Sequence, residues 1–280
     1  QHKGLVLVCQ HMSETNGITA PFLPGALRGR TAFVSGGATG IGRETVAMLG
    51  RMGANIFIAS RKAENLEIAV KELSDAGIDA AFAAADVRDY EAVESAVAAC
   101  EERFGSLDIL INNAAANFPC PTAELSPNGW KTVVDIDLNG TFHCCRAAYP
   151  HLRQSEFGGR IVSITTSFAR TGWPGAAHAG AAKAGVLSLM RALAVEWAPD
   201  GILVNSISPG PIAGTPGVDK LYIETGREAE MTSRVALGRF GKPEDIANAI
   251  VYLCSTAGNF ITGAELAVDG GRQWVFAART

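Results

Sequence analysis

The sequence has little excess charge of either sign and no long apolar run. Its 280 residues include 24 Lys and Arg against 28 Asp and Glu, a formal net charge of −4. Attraction to nucleic acid or to an anionic membrane surface through bulk charge is therefore not expected. No stretch reaches the roughly 18 apolar residues of a membrane-spanning helix, so no membrane span is expected.

Cysteine is sparse and follows no recognisable pattern. The six cysteines stand at positions 9, 100, 120, 144, 145 and 254, without the CxxC spacing that is typical of a zinc site. A chain of this size also does not suggest a disulfide scaffold. We therefore expect reduced thiols in an intracellular protein, no metal site, and Cys144 and Cys145 in the core.

The two ends of the sequence say little about location. Gly4-Leu5-Val6 and His11-Met12 are spaced as in a protease-site tag, so residues 1–11 are interpreted as a tag and Met12 as the candidate start. A short signal peptide is the alternative, but the apolar run is too short for one. The chain ends in Ala-Ala-Arg-Thr, which is not an SKL-type signal. Peroxisome, mitochondrion and cytoplasm all stay open.

Apolar residues make up 48% of the sequence and occur in short runs that alternate with helical patterns. The runs predicted as strands begin at Thr31, Asn55, Ala80, Leu107, Arg160, Ile202 and Glu265. One long helical stretch extends from Pro127 to Leu152. Such alternation is typical of a parallel sheet with helices on both faces. We predict one α/β domain over residues 12–280, a three-layer sandwich with about seven strands.

A glycine-rich turn follows the first predicted strand. Ser35-Gly36-Gly37-Ala38-Thr39-Gly40-Ile41-Gly42 leads directly into a predicted helix. Glycines at these places let the backbone approach a pyrophosphate, and the helix N-terminus offers free N–H groups. The strand–turn–helix context favours a dinucleotide site over an ordinary turn.

The second strand ends in Ser60-Arg61-Lys62, where an NAD site usually carries an acid. A guanidinium at Arg61 can bind a ribose 2′-phosphate, which favours NADPH. The alternative is that Arg61 and Lys62 are a solvated helix start. Asp86, which follows the third strand, is expected to bind the adenine amine or to cap a helix.

Four segments together carry a family resemblance. The glycine turn, Asn112-Asn113-Ala114-Ala115, Lys183 within its helix, and Ser208-Pro209-Gly210 resemble the short-chain dehydrogenase/reductase family from about residue 28 to 275. The resemblance implies a single Rossmann-like domain, hydride transfer with a nicotinamide cofactor and, in most members, a homotetramer. The residues it assigns to the cofactor are Gly36, Thr39, Gly40, Ile41, Gly42, Ser60, Arg61, Lys62, Asp86, Val87, Asn113, Ala114, Ala115, Lys183, Pro209, Gly210 and Ile212.

Within this family, several segments are similar to 2,4-dienoyl-CoA reductases, most of all the peroxisomal type. They are residues 114–118, Trp130-Lys131-Thr132, Ile164-Thr165-Thr166, residues 178–185, and Pro209-Gly210-Pro211-Ile212. Similarity to trans-2-enoyl-CoA reductases is also present near residues 36–42 and 181–182. The resemblance implies NADPH-dependent reduction of a 2,4-dienoyl-CoA in the oxidation of unsaturated fatty acids.

The sequence departs from the wider family at its proton donor. Most members carry Tyr four residues before the lysine, but here that residue is Ala179. The upstream place that mitochondrial-type dienoyl-CoA reductases use is Phe168, which has no proton to give. Asp137 stands where most members have a catalytic Asn, as in the peroxisomal type. A carboxylate there is expected to pair with Lys183 and to hold a water as the proton source; the alternative is that it only braces the helix.

A dienoyl thioester is reduced by conjugate addition, which needs donors at the thioester oxygen and a proton for carbon. Lys183, Asp137, Asn117 and Thr166 are the predicted catalytic residues, and Asn117 and Phe118 are predicted to contact the substrate. Loop capping and strand-edge bonding are the alternatives for Asn117 and Thr166. His178 is interpreted as a packing or hydrogen-bonded residue.

Residues 211–235 are predicted to form a substrate lid. Lys220, Arg227 and Arg234 in it are candidates for CoA phosphates or for a solvated face. Two alternative functions stay open: a trans-2-enoyl-CoA reductase, and a catalytically silent NADPH-binding protein that lost its tyrosine.

Overall fold

A computed structural model describes residues 22–275, except the side chains of Pro216, Lys220 and Leu221. The predicted tag therefore lies outside the described residues. All seven strands are parallel and form one sheet in the order β3-β2-β1-β4-β5-β6-β7. The strands are β1 Thr31–Ser35, β2 Asn55–Ser60, β3 Ala80–Ala84, β4 Ile109–Asn112, β5 Arg160–Ile164, β6 Leu203–Pro209 and β7 Glu265–Val268. The predicted Rossmann-like α/β fold is confirmed.

Helices cover both faces of the sheet. They are α1 Gly40–Arg51, α2 Ala63–Asp75, α3 Tyr90–Phe104, α4 Pro127–Val134, α5 Gly140–Leu152, α6 Phe168–Thr171, α7 Ala177–Glu196, α8 Pro216–Val218, α9 Glu228–Ser233 and α10 Pro243–Cys254. Between residues 22 and 275, no helix is both long and apolar enough to cross a bilayer.

Two apolar clusters form the core, one on each face of the sheet. Residues of α1, α2 and α10 contribute to the first, and residues of α3, α5 and α7 to the second. Neighbouring strand residues such as Phe33 and Val34 belong to opposite clusters, because successive side chains point to opposite faces. Cys144 and Cys145 are buried in the second cluster, as predicted.

The long helix predicted over 127–152 contains an irregularity that periodicity did not reveal. A π-helical turn, Asp135–Asn139, separates α4 from α5. Such turns insert one extra residue and occur often at functional sites. Here the turn carries Asp137.

The segment between β6 and α10 contains more regular structure than its sequence predicts, since its apolar residues follow neither a helical nor a strand period. It contains α8, a second π-helical turn at Asp219–Ile223, and α9. Tyr222 and Met231 are buried within it, and the Tyr222 ring packs edge-on against Phe240. These buried side chains fix the segment against the body of the domain.

Candidate active site

Nine of the seventeen predicted cofactor residues line one cleft at the carboxyl edge of the sheet. Strand order reverses between β1 and β4, and crevices at such a reversal bind ligands in open α/β sheets. A cleft of about 230 Å³ lies there. Its lining residues are Gly36, Thr39, Ala59, Ser60, Arg61, Ala85, Asp86, Val87, Asn113, Ala114, Ala115 and Ile136.

The glycine turn is built for close approach of backbone segments. Gly36 and Gly40 have φ of +69° and +53°, which L side chains rarely adopt. A Cβ on Gly42 would overlap the carbonyl oxygen of Gly36 and the side chain of Asn113. Asn113 donates a hydrogen bond from Nδ2 to that same carbonyl at 2.9 Å. The turn is therefore locked against β4, and the first N–H groups of α1 are left to bind an anion.

Replacing Gly42 with alanine is expected to weaken binding of the nicotinamide cofactor roughly tenfold or more, since a displacement that costs about 1.4 kcal/mol is already tenfold. The measurement is titration of cofactor fluorescence. Gly105→Ala is the control: Gly105 has φ of +78° with open space around it, so the change costs about 1 kcal/mol of stability far from the cleft. Equal cofactor affinities of the two variants would refute the role assigned to the turn.

The basic end of β2 lies beside the cleft. Arg61 is exposed, lines the cleft, and forms no ion pair with the described residues, whereas Lys62 is the exposed N-cap of α2. Asp86 is held by Arg88, whose guanidinium and backbone N–H both donate to it. The Arg88 hydrogen bonds hold the pKa of Asp86 below its usual range. Asp86 does not cap α3, because Asp89 does.

Asp137 and Lys183 form a buried pair. Lys183 Nζ lies 3.5 Å from Asp137 Oδ2, and both side chains are almost fully enclosed. Asp137 Oδ1 accepts a hydrogen bond from the backbone N–H of Ala116 at 2.7 Å. Burial raises the pKa of Asp137, while the Lys183 charge opposes that rise. The predicted pairing is thus present, with one carboxylate oxygen anchored to the loop after β4.

A second cavity, also of about 230 Å³, lies on the other side of the glycine turn. Ile41, Thr166, Pro209, Gly210 and Ile212 are the predicted residues that line it. Pro211, Thr215, Tyr222, Met231 and Arg272 also line it. The first four lie within the predicted lid, residues 211–235, whereas sequence reasoning did not place Arg272 in the site. Arg272 comes from the turn after β7, far from any motif that was used.

Arg272 is held by aromatic and polar contacts. Its guanidinium lies 4.9 Å from the Trp173 ring centroid and donates a hydrogen bond to Ser167 Oγ at 2.9 Å. Burial lowers the pKa of Arg272. No carboxylate of the described residues forms a salt bridge with it. The only sequence signal for a role of Arg272 is a single arginine directly after two glycines in the turn that follows β7.

The remaining predicted residues are divided between the site and the surface. Asn117 and Phe118 are exposed in the loop after β4, and the Phe118 ring packs on His178 at 4.6 Å between centroids. Arg227 and Arg234 are partly exposed and both pair with Glu230. The Lys220 side chain lies outside the described residues.

The sequence matches a known protein family over most of the residues that form this site. A profile of the family described as Enoyl-(Acyl carrier protein) reductase matches residues 36–273. The chain belongs to this family of short-chain dehydrogenases/reductases, as predicted.

Individual relatives are similar over most of their length. A "Peroxisomal 2,4-dienoyl-CoA reductase [(3E)-enoyl-CoA-producing]" of Arabidopsis thaliana is 42% identical, with 90% of this chain and 87% of the relative covered. A "Probable 2,4-dienoyl-CoA reductase [(2E)-enoyl-CoA-producing]" of Bacillus subtilis (strain 168) is 40% identical, with 88% and 97% covered. The crystal structure of a short chain dehydrogenase from Bacillus anthracis superposes with a TM-score of 0.80 at 37% identity, covering 88% of this chain and 97% of that one.

Proposed function

We propose that the protein is an NADPH-dependent 2,4-dienoyl-CoA reductase. The observation that carries this proposal is the buried Asp137–Lys183 pair beside a position, Ala179, that has no acidic proton. A carbonyl reduction needs a strong acid at the oxygen, whereas a conjugate reduction needs hydrogen bonds to the thioester oxygen and a proton for carbon. The names of the relatives at about 40% identity support the same substrate class.

The residues of the cleft fit a bound NADPH. The glycine turn accepts the pyrophosphate, because its backbone is closely packed and its helix N-terminus is free. Arg61 lines the same cleft, and its guanidinium would bind the ribose 2′-phosphate. Bound there, the cofactor supplies a hydride. Lys183 binds the nicotinamide ribose, and Asn113 holds the turn in shape.

The chain's own residues then complete the reduction. Hydride addition at the far end of the diene leaves negative charge on the thioester oxygen. Asn117 and Thr166 stabilise that charge by donating hydrogen bonds, and Phe118 contacts the acyl chain. Asp137 and Lys183 orient a water, which gives its proton to the dienolate carbon. Residues 211–235 close over the acyl-CoA, since Tyr222 and Met231 line the second cavity.

A homotetramer and an intracellular location complete the proposal. In this family the helices that carry Trp130 and Lys183 form the usual interface, and Trp130 is 42% exposed here. Light scattering of the purified protein tests the tetramer. The organelle is left to imaging of a tagged full chain.

Substrate comparison tests the function. We expect NADPH oxidation with a medium-chain trans,trans-2,4-dienoyl-CoA to be at least tenfold faster, as kcat/KM, than with the matching trans-2-enoyl-CoA. Faster reduction of the monoenoyl substrate would assign the protein to the trans-2-enoyl-CoA reductases. Tight NADPH binding without turnover of either would favour a silent binding protein.

Arg61→Glu is expected to raise the Kd of NADPH roughly 10- to 100-fold while leaving that of NADH within a factor of about three, because a hydrogen-bonded charge contributes about 1.5–3 kcal/mol. Lys71→Glu introduces the same charge change on an exposed part of α2 and serves as control. Parallel titrations with both cofactors make the measurement. Unchanged NADPH affinity in Arg61→Glu would contradict the assignment of the 2′-phosphate.

A further inference from the structure

One buried side chain beside the proposed site has no hydrogen-bond partner within residues 22–275. His178 is fully buried, and neither ring nitrogen has a hydrogen-bond partner among the described residues. An unpaired buried polar group costs about 1–3 kcal/mol, so such groups usually bond an ordered water or serve chemistry. His178 stands directly before Ala179, where most of the family has its proton donor.

The surroundings of His178 are those of the site. On one side the Phe118 ring packs against it at 4.6 Å, tilted by 40°. Asp137 is near enough that a positive charge on His178 would lower the pKa of that carboxyl. Lys183, on the same helix as His178, pairs with Asp137. The imidazole therefore packs on Phe118 and lies within electrostatic range of the buried ion pair.

We propose that His178 is the proton relay of the reaction and that it hydrogen-bonds the water oriented by Asp137 and Lys183. This inference rests on the proposed function. The hydride adds an electron pair to the acyl chain, and a water O–H bond breaks as the new C–H bond forms. An N–H bond of the His178 imidazolium breaks at the same time, and its proton converts the resulting hydroxide back to water and leaves a neutral imidazole. The neutral imidazole is reprotonated from solvent before the next turnover.

The geometry explains why this arrangement replaces a tyrosine. A tyrosine at 179 would reach the substrate directly, but a proton that goes to carbon needs a donor beside the chain rather than at its oxygen. A water held between an imidazole, a carboxylate and an ammonium group supplies that donor. Phe118 packs on this imidazole and is itself 39% exposed, so a rotation of its side chain would open the imidazole to solvent.

Two variants separate the relay from packing. His178→Phe keeps an aromatic ring against Phe118 but has no nitrogen, whereas His178→Gln keeps a donor and an acceptor. We expect kcat with dienoyl-CoA to fall about 100-fold in His178→Phe and clearly less in His178→Gln, because general acid catalysis contributes about 10²–10⁴-fold. NADPH affinity should stay within about twofold of the wild type. His151→Phe, in the last turn of α5 and therefore on a different helix, is the control.

A kinetic signature distinguishes chemistry from structure. If His178 delivers the proton, the solvent deuterium isotope effect on kcat rises in His178→Phe, and imidazole added to His178→Ala restores part of the activity. A kcat of His178→Phe within twofold of wild type, or equal losses in both variants with an unchanged solvent isotope effect and no rescue, would overturn the relay. Wild-type protein without dienoyl-CoA turnover would instead overturn the proposed function itself.

Discussion

Asp137→Ala lowers kcat for dienoyl-CoA reduction by about 10²–10⁴-fold, the usual contribution of a positioned proton-transfer group. The substitution removes the carboxylate that lies 3.5 Å from Lys183 and that accepts the Ala116 N–H. Both the water and the loop after β4 then lose an anchor. Steady-state kinetics with saturating NADPH measure the effect.

Asp137→Asn is the matched control for packing. An asparagine keeps the size of the side chain and an acceptor for Ala116, but it carries no charge to pair with Lys183. We expect Asn to restore thermal stability relative to Ala while kcat stays at least about tenfold below wild type. Full activity of Asp137→Asn would show that the carboxylate is not required and would favour the role of a simple helix brace.

Lys183→Met produces the second large effect. A methionine fills the same volume but leaves Asp137 buried without its cation, and breaking one side of a buried ion pair costs about 3–5 kcal/mol. We expect kcat to fall about 10³-fold, as for loss of a positioned catalytic group, and NADPH affinity to fall with it. Thermal unfolding and cofactor titration on the same sample check both parts.

The pH profile of kcat tests whether the Lys183 charge lowers the pKa of Asp137. Burial raises the pKa of Asp137 and the Lys183 charge opposes that rise, so removing the charge raises the pKa further. Activity that needs an ionised Asp137 is lost as pH falls through this raised pKa. We therefore expect the acidic limb of the residual Lys183→Met activity to lie at higher pH than in the wild type. A limb at unchanged pH would mean that another group titrates.

The strands could be predicted because their signals are local. Continuous apolar runs mark strands buried on both faces, and β1, β2, β3, β5 and β7 begin at the predicted residues. The π-helical turn at Asp135–Asn139 could not be predicted, because it depends on how Asp137 meets the loop after β4 rather than on helical periodicity. The order around Tyr222 was missed for a similar reason, since its packing on Phe240 is a tertiary contact.

The residues of the site also divide into those that sequence patterns predict and those that only tertiary packing brings to the site. The glycine turn could be predicted from its strand–turn–helix context, and the Asp137–Lys183 pair from the resemblance to the family. Arg272 enters the second cavity from the last strand, which carries no motif. His178 was interpreted as packed or hydrogen-bonded; it packs on Phe118 and has no hydrogen-bond partner among residues 22–275. Only three-dimensional packing distinguishes those two states.

Isotope tracing tests the central claim most directly. The protein is incubated with NADPH deuterated on the transferred position and with a 2,4-dienoyl-CoA in ordinary water, and then with unlabelled NADPH in heavy water. We predict one deuterium at C5 of the acyl chain in the first case and one at C2 or C4 in the second, as hydride addition and water-derived protonation require. Deuterium from NADPH at C3, or no reduced dienoyl product, would contradict the account.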